Sequence, residues 1–249
     1  MAKYGKWVGL GLGWALGGPI GGVLGLVFGS MYDGMQSGVY EYKGEHPYGT
    51  AGAARTRPGD FAASLVVLSA AVMKADEKVL KSELDYVKKF FHQQFGEQLA
   101  IENILVLREL LKQEIDVTGV AQQIRTYMDH PSRLQLLHYL FGISMADGHV
   151  HAKEVEVIQT ISHNLGISMA DFSSIKAMFY KDINAAFQVL EITPDANNDE
   201  VKKAYRKMAV KYHPDKVQHL GEEFQKAANE KFQKVQAAYD QIKKERAIN

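Results

Sequence analysis

The sequence predicts an all-α protein, and three observations support this prediction. Apolar side chains between residues 60 and 181 recur at the three- and four-residue steps of a helix. The C-terminal region repeats this spacing, and proline or β-branched runs seldom interrupt either pattern. The N-terminal segment is a long uncharged stretch. We therefore expect a transmembrane helix (1–34), a linker (35–59), a helical bundle (60–181) and a C-terminal antiparallel helical hairpin with a short flanking helix (184–249).

The composition excludes several classes of function. The 249 residues carry 29 basic and 29 acidic side chains, so the formal net charge is zero. This balance disfavours nucleic-acid binding driven by bulk charge. The chain has no cysteine, which excludes disulfides, thiolate-bound zinc, iron–sulfur clusters and cysteine nucleophiles. Apolar residues make up 46% of the chain, enough to bury a core.

The N-terminal segment has the features of a membrane anchor. No charged residue lies between Trp7 and Tyr32, and a helix of about 20 apolar residues crosses a bilayer. Tyr4, Trp7 and Tyr32 stand at its ends, where interfacial aromatic residues are common. The alternative is a secretory signal peptide, which would have a shorter apolar core followed by a small-residue cleavage site. The basic residues on the two sides do not fix the orientation.

Glycine recurs at every fourth position of this segment. The series is Gly5, Gly9, Gly13, Gly17, Gly21, Gly25 and Gly29. Such a stripe permits close backbone approach, so we expect the anchor to self-associate as a homodimer or to pack on another membrane helix. The alternative is a stripe without a fixed partner, since membrane helices tolerate glycine. Gly17-Gly18-Pro19 predicts a kink, with a re-entrant hairpin as the alternative, and clustered proline and glycine predict the irregular linker that follows.

A short acidic pattern occurs twice in the predicted bundle. Asp76 follows an alanine and precedes Glu83 by seven positions, and Asp147 and Glu154 repeat this arrangement. One interpretation is a helix–loop–helix corner, where the aspartate stabilises the turn and the glutamate lies in a first helical turn. The other is that the four carboxylates converge on a divalent cation such as calcium or magnesium. Neither copy has the ligand spacing of an EF-hand.

The two corners also carry a family resemblance. Lys74-Ala75-Asp76 and Met145-Ala146-Asp147-Gly148 resemble the TerB-like domain of tellurite-resistance proteins. This resemblance implies a compact helical bundle with an acidic patch and a binding role. An enzymatic alternative would use the four carboxylates with His149 and His151 as a metal-dependent hydrolase site. No nucleophile motif or phosphate loop accompanies them, which argues against an enzyme.

The C-terminal region predicts two paired helices. Asn197 and Glu200 have the spacing of a capping box, and a helix should run from about Asp199 to Tyr212. Pro214 ends this helix, because the residue before proline is driven out of the α region. A second long helix follows the loop through Gly221 and presents a complementary apolar face. The hairpin should therefore expose His213-Pro214-Asp215 at its connection.

The stretch Tyr212-His213-Pro214-Asp215-Lys216 resembles the J domain of DnaJ-type co-chaperones. The resemblance extends to Phe187-Gln188-Val189-Leu190, to the basic helix, and to the helix that contains Tyr239. One departure is Glu191, where many J domains have glycine. The resemblance implies that the protein is not itself an enzyme but docks on a DnaK-type heat-shock chaperone and stimulates its ATPase. The implied binding residues are His213, Pro214, Asp215, Lys202, Lys203, Arg206, Lys207, Lys211 and Lys216.

The order of the three parts resembles the bacterial membrane-anchored DnaJ-like proteins. This implies a single-pass protein of the bacterial inner membrane, with most of the chain in the cytoplasm and dimerisation through the anchor. It implies no cofactor, although the middle domain is a candidate for a divalent cation. The alternative function is a membrane scaffold or stress sensor whose TerB-like domain binds a metal or a partner protein.

Overall fold

The helices follow one another along the whole described chain. The computed structural model describes residues 5–35, 58–76, 78–149, 151–179 and 183–246. The helices of this part are α1 (Gly5–Met35), α2 (Pro58–Met73), α3 (Lys81–Leu110), α4 (Val117–Tyr127), α5 (His130–Ser144), α6 (Ala152–Asn164), α7 (Met169–Ala177), α8 (Ile183–Val189), α9 (Asn198–Lys211) and α10 (Glu222–Glu245), with a 3-10 turn at Pro214–Leu220. The all-α prediction is confirmed. The predicted linker lies, apart from its ends, outside the described residues.

Helices α2 and α5 form the centre of the bundle. Residues 61–73 of α2 are all buried, as are nearly all residues of 134–144 in α5. A helix that is buried on every side must be surrounded by others, and α3, α4, α6 and α7 provide that shell. Each fully buried large apolar side chain contributes roughly 1.5–3 kcal/mol relative to exposure. The bundle is therefore held together mainly by its interior.

An aromatic cluster joins α3 to α5 inside this interior. The ring of Tyr139 lies 4.3 Å from that of Phe90 and 6.4 Å from that of Phe91, between ring centroids. Its hydroxyl is 2.7 Å from the Ser69 hydroxyl on α2. The buried polar end of Tyr139 is thus satisfied, as burial of a hydroxyl requires.

The N-terminal helix α1 is broken at Gly18. Gly18 has φ 61° and ψ −154°, a conformation that glycine adopts readily because it lacks a Cβ. The next residue is Pro19, which cannot donate to a helical hydrogen bond. The kink predicted at this position is confirmed.

The two arms of α1 lie against each other after this break. A Cβ built on Gly13 would collide with the carbonyl oxygen of Gly21, so only glycine fits this contact. The side chain of Gln123 on α4 binds the break itself. Its amide donates to the Gly17 carbonyl at 2.6 Å and accepts from the Ile20 N–H at 2.8 Å. The glycine stripe is therefore used, at least in part, for contact within one chain.

Among the residues that the structure describes, no helix combines the length and the hydropathy needed to cross a bilayer.

Candidate functional site

The sequence His213-Pro214-Asp215 forms an exposed corner between α9 and the 3-10 turn. His213 has the extended conformation (φ −62°, ψ 132°) that a following proline imposes. Its Nδ1 accepts a hydrogen bond from the Asp215 N–H at 3.3 Å and lies 3.4 Å from the Asp215 carboxylate. The His213 side chain is 50% exposed and that of Asp215 is 67% exposed. Both groups are therefore available to a partner protein.

Helices α9 and α10 brace this corner as a packed pair. The rings of Tyr205 and Tyr239 stack with centroids 4.3 Å apart and an angle of 17° between planes. The His213 ring meets the edge of Phe232 on α10 at 6.0 Å. The residues that pack between the pair are Val201, Ala204, Met208, Tyr212, Ala228, Val235, Ala238 and Ile242, all of them buried. The predicted hairpin is thus present, and the predicted helix agrees with α9 within one residue at each end.

The start of α9 is fixed by the predicted capping box. The Asn197 side chain accepts from the Glu200 N–H at 3.0 Å, and the Asn197 N–H donates to the Glu200 carboxylate at 2.7 Å. This reciprocal pair satisfies two N–H groups that a helix start leaves free. The local sequence therefore determines where the basic helix begins, and hence which of its side chains share a face.

The predicted basic surface divides into two parts. Lys203, Arg206 and Lys216 are exposed, and Lys202 is partly exposed. Lys207, also exposed, donates to the Glu191 carboxylate at 2.9 Å, and this hydrogen bond raises the pKa of Lys207.

Lys211 forms the inward part. It makes ion pairs with both Glu191 and Asp171, and only 19% of its side chain is exposed. The outer part of the basic surface is free to meet an acidic partner, whereas Lys211 already has acidic partners within the chain.

Glu191 explains the departure from glycine noted in the sequence. It has φ 57°, and it is the one non-glycine residue with positive φ in the part of the chain that the structure describes. Glycine adopts this conformation at little cost, whereas other residues lose roughly 1–2 kcal/mol. The carboxylate offsets part of that cost through its pairs with Lys207 and Lys211. Sequence reasoning flagged this position but gave it no functional role.

The two acidic corners of the bundle have matching local geometry. The Asp76 carboxylate accepts from the Lys78 N–H at 3.1 Å, and the Asp147 carboxylate accepts from the His149 N–H at 2.8 Å. These are turns closed by an aspartate side chain, the conformation for which this residue type is favoured. His151 lies 3.2 Å from Asp147, and their hydrogen bond raises the pKa of the imidazole. This geometry supports a structural role for both aspartates.

Glu83 and Glu154 come together inside the bundle. Both side chains are buried, and the Glu83 carboxylate accepts from the Leu80 N–H at 2.8 Å. Burial raises the pKa of Glu83 to about 8, and the adjacent Glu154 carboxyl contributes to this rise. A second carboxyl beside it favours the protonated form of Glu83, since two buried like charges repel. Within the described residues, no group of three or more histidine, aspartate or glutamate side chains has the arrangement of a metal site.

Three family models match consecutive parts of the chain. The model of the co-chaperone DjlA transmembrane domain matches residues 1–53. The model of tellurite resistance protein TerB matches residues 62–177, and the DnaJ domain model matches residues 185–248. The three models follow one another in the predicted order of anchor, bundle and hairpin. They also identify the N-terminal segment as a membrane anchor.

Curated relatives match over most of this chain. The co-chaperone protein DjlA of Shewanella oneidensis is 26% identical over 217 residues, which cover 79% of this chain and 82% of that protein. DjlA of Aliivibrio fischeri is 25% identical over 246 residues, covering 80% and 83%. A DnaJ homolog subfamily A member 1 homolog of Dictyostelium discoideum is 52% identical over 54 residues, covering 22% and 11%. No solved structure matches the chain.

The fold, the corner and these matches define the class of the protein. It is a J-domain protein in which the J domain follows a TerB-like bundle and a membrane anchor. The chain belongs to the DjlA family of co-chaperones. The three resemblances drawn from the sequence are thereby confirmed.

Proposed function

We propose that this protein recruits a DnaK-type chaperone to a membrane and stimulates its ATPase. The observation that carries this proposal is the exposed His213–Asp215 corner, held between two packed helices. The protein would perform no covalent chemistry of its own. It would act by binding one state of the chaperone more tightly than the other, since only differential binding can shift a conformational equilibrium.

The basic face of α9 would provide the first contact. Lys203 and Arg206 are exposed, with Lys202 beside them, one turn or more from the corner. Complementary charge accelerates encounter and fixes the orientation of two proteins. His213 and Asp215 would then contact the chaperone in the conformation that hydrolyses ATP. Lys216, exposed just beyond the corner, would extend the same surface.

The test is the substitution His213→Gln in the full-length chain. We expect stimulation of a DnaK-type ATPase to fall at least tenfold, a loss of about 1.4 kcal/mol or more in effective coupling. His163→Gln is the matched control, because it makes the same chemical change at an exposed histidine on α6. Helical content and thermal stability should be unchanged in both variants. Undiminished stimulation by His213→Gln would contradict the proposal.

We also propose a membrane topology and a role for the glycine stripe. The J domain requires an ATP-driven partner, so residues 58–246 would lie in the cytoplasm. For the anchor to cross the bacterial inner membrane once, the two arms of α1 would separate and Gln123 would release the break at Gly18. The close approach of Gly13 and Gly21 within one chain supports such a role, because the same lack of side chains would allow two anchors to pair as a homodimer. Protease protection of inverted vesicles tests the topology. Crosslinking of wild type and Gly25→Leu in membranes tests the dimer.

A further inference from the structure

The J domain is attached to the TerB-like bundle by charged contacts beside its corner. The first contact is Lys211 at the end of α9, which pairs with Asp171 on α7 of the bundle as well as with Glu191. The Asp171 side chain is only 7% exposed. Lys211 immediately precedes the Tyr212–His213 end of the helix. An acidic side chain of the bundle is therefore paired with a lysine of the predicted chaperone-binding surface.

The second contact involves the 3-10 turn that begins at the corner. His219 Nε2 lies 2.9 Å from the Asp129 carboxylate and 3.3 Å from the Ser132 hydroxyl, both at the start of α5. The 3-10 turn begins at Pro214 and contains His219, so the corner and this contact belong to the same short element. The two contacts thus lie on either side of the corner along the chain.

A third set of contacts fixes the rest of the J domain. The Lys234 ammonium on α10 donates to the Met178 carbonyl at 3.1 Å and lies 4.3 Å above the Phe179 ring. The Ser174 hydroxyl on α7 donates to the Val189 carbonyl at 2.7 Å. These contacts do not involve the predicted chaperone-binding residues. They would hold the domains near each other while the two acidic contacts determine the orientation of the corner.

We infer that the TerB-like bundle restrains its own J domain, with Asp171 and Asp129 competing against the DnaK-type chaperone for the basic surface beside the corner. This inference rests on the proposed function. While the J domain is packed on the bundle, Lys211 is paired with acidic residues of the same chain. An acidic surface of the chaperone must displace them to bind Lys211. When only a fraction of the protein molecules is in the state that can bind, the apparent affinity is reduced by that fraction. A partner that draws the bundle away would release the restraint.

The substitutions Asp171→Asn and Asp129→Asn test this restraint with little risk to folding. Asp129 caps α5 by accepting from the Ser132 N–H at 2.8 Å, and asparagine caps helices equally well. Asp171 accepts from the Ser168 hydroxyl at 2.7 Å, which an asparagine oxygen also does. Both changes therefore remove the charge and keep the local hydrogen bond. The matched control is Glu156→Gln, at an exposed carboxylate of α6.

The experiment measures how much full-length protein half-maximally stimulates a DnaK-type ATPase. In the Asp171→Asn/Asp129→Asn double variant this concentration should fall by about 3- to 10-fold, because the variant loses the Lys211–Asp171 ion pair and weakens the His219–Asp129 contact. Glu156→Gln should match wild type. The chain has no cysteine, so fluorophores at Gln159→Cys and Lys244→Cys, both exposed positions, report the distance between the domains, which should increase in the double variant.

The outcomes separate this inference from the proposed function. If wild type does not stimulate the ATPase, or if His213→Gln stimulates it fully, the proposed function is wrong. If wild type stimulates and His213→Gln does not, but the double variant has an unchanged or higher half-maximal concentration, the restraint is wrong. Adding His213→Gln to the double variant must abolish its activity, because the released surface acts through the same corner.

Discussion

The same capping motif is buried in the TerB-like bundle and exposed in the J domain. In the bundle, Glu83 accepts from the N–H of a residue three positions earlier at 2.8 Å. In the J domain, Glu200 makes the same contact at 2.7 Å. Glu83 is buried against a second carboxyl, whereas Glu200 is exposed to solvent. Local sequence thus determines the hydrogen bond, while the environment determines the charge state of the carboxyl.

A related difference separates a histidine of the bundle from the corner of the J domain. The bundle also partly buries His138, and burial holds the pKa of its imidazole well below the usual value. The J domain instead exposes His213 and Asp215 at its corner. Stability should therefore reside mainly in the interior of the bundle, and recognition on the surface of the J domain. The following predictions test that division, beginning with the largest effect.

The largest effect is expected from a cavity in the bundle. Phe91 is completely buried beside Tyr139 and Phe95, so Phe91→Ala should lower the free energy of unfolding by about 3–5 kcal/mol. Val210→Ala, at an apolar side chain of α9 that is 64% exposed, should change it by less than about 0.5 kcal/mol. Chemical denaturation of both variants measures the difference. Similar losses in the two variants would contradict the conclusion that stability resides mainly in the interior of the bundle.

The next effect concerns Glu83 and has a definite dependence on pH. The folded-state pKa of about 8 lies above the usual 4.5, so between these values the folded protein binds a proton that the unfolded chain has lost. The free energy of unfolding must then decrease as pH rises through this range. We expect a decrease of about 2 kcal/mol between pH 5 and 8.

The matched pair Glu83→Gln and Glu200→Gln tests this prediction. Glutamine at position 83 keeps an acceptor for the Leu80 N–H but cannot lose a proton, so the variant should have a flatter pH profile and higher stability than wild type near pH 8. Glu200→Gln should keep the wild-type slope, because its carboxyl is exposed. Denaturation curves at several pH values measure both slopes. Equal slopes in wild type and Glu83→Gln would contradict the prediction that the buried Glu83 carboxyl keeps its proton in the folded protein.

The sequence was sufficient for features that depend on neighbouring residues along the chain. Helical spacing predicted the bundle and the hairpin, and the Asn197–Glu200 spacing predicted the start of α9. Proline at 214 predicted the end of that helix and hence the exposed corner. Gly18 and Pro19 predicted the kink in α1. In each case the determining interaction spans only a few residues.

Features that depend on contact between distant segments could not be predicted in this way. The pairing of Glu83 with Glu154 joins two helices separated by about seventy residues, and the equal spacing of the two corners was compatible with capping or with a cation site. Asp171 and Asp129 gave no signal in the sequence, because ordinary helix-capping positions acquire their second role only when the J domain docks. Hence the sequence placed Lys211 on the basic face but could not predict its pairing with Asp171 and Glu191.

The smallest effect concerns Glu191, the acid of the J domain that points inward. Its side chain is 7% exposed and its φ is positive, in contrast to the exposed carboxylate of Asp215 at the corner. Glu191→Ala and Glu191→Gly both remove the ion pairs with Lys207 and Lys211, but only glycine relieves the backbone conformation. The alanine variant should therefore be less stable than the glycine variant by about 1 kcal/mol. Because both variants lose the same carboxylate, thermal or chemical unfolding isolates the backbone contribution. Equal stability of the two would mean that residue 191 leaves the left-handed region once its carboxylate is gone, and that the ion pairs, rather than the turn, impose the conformation.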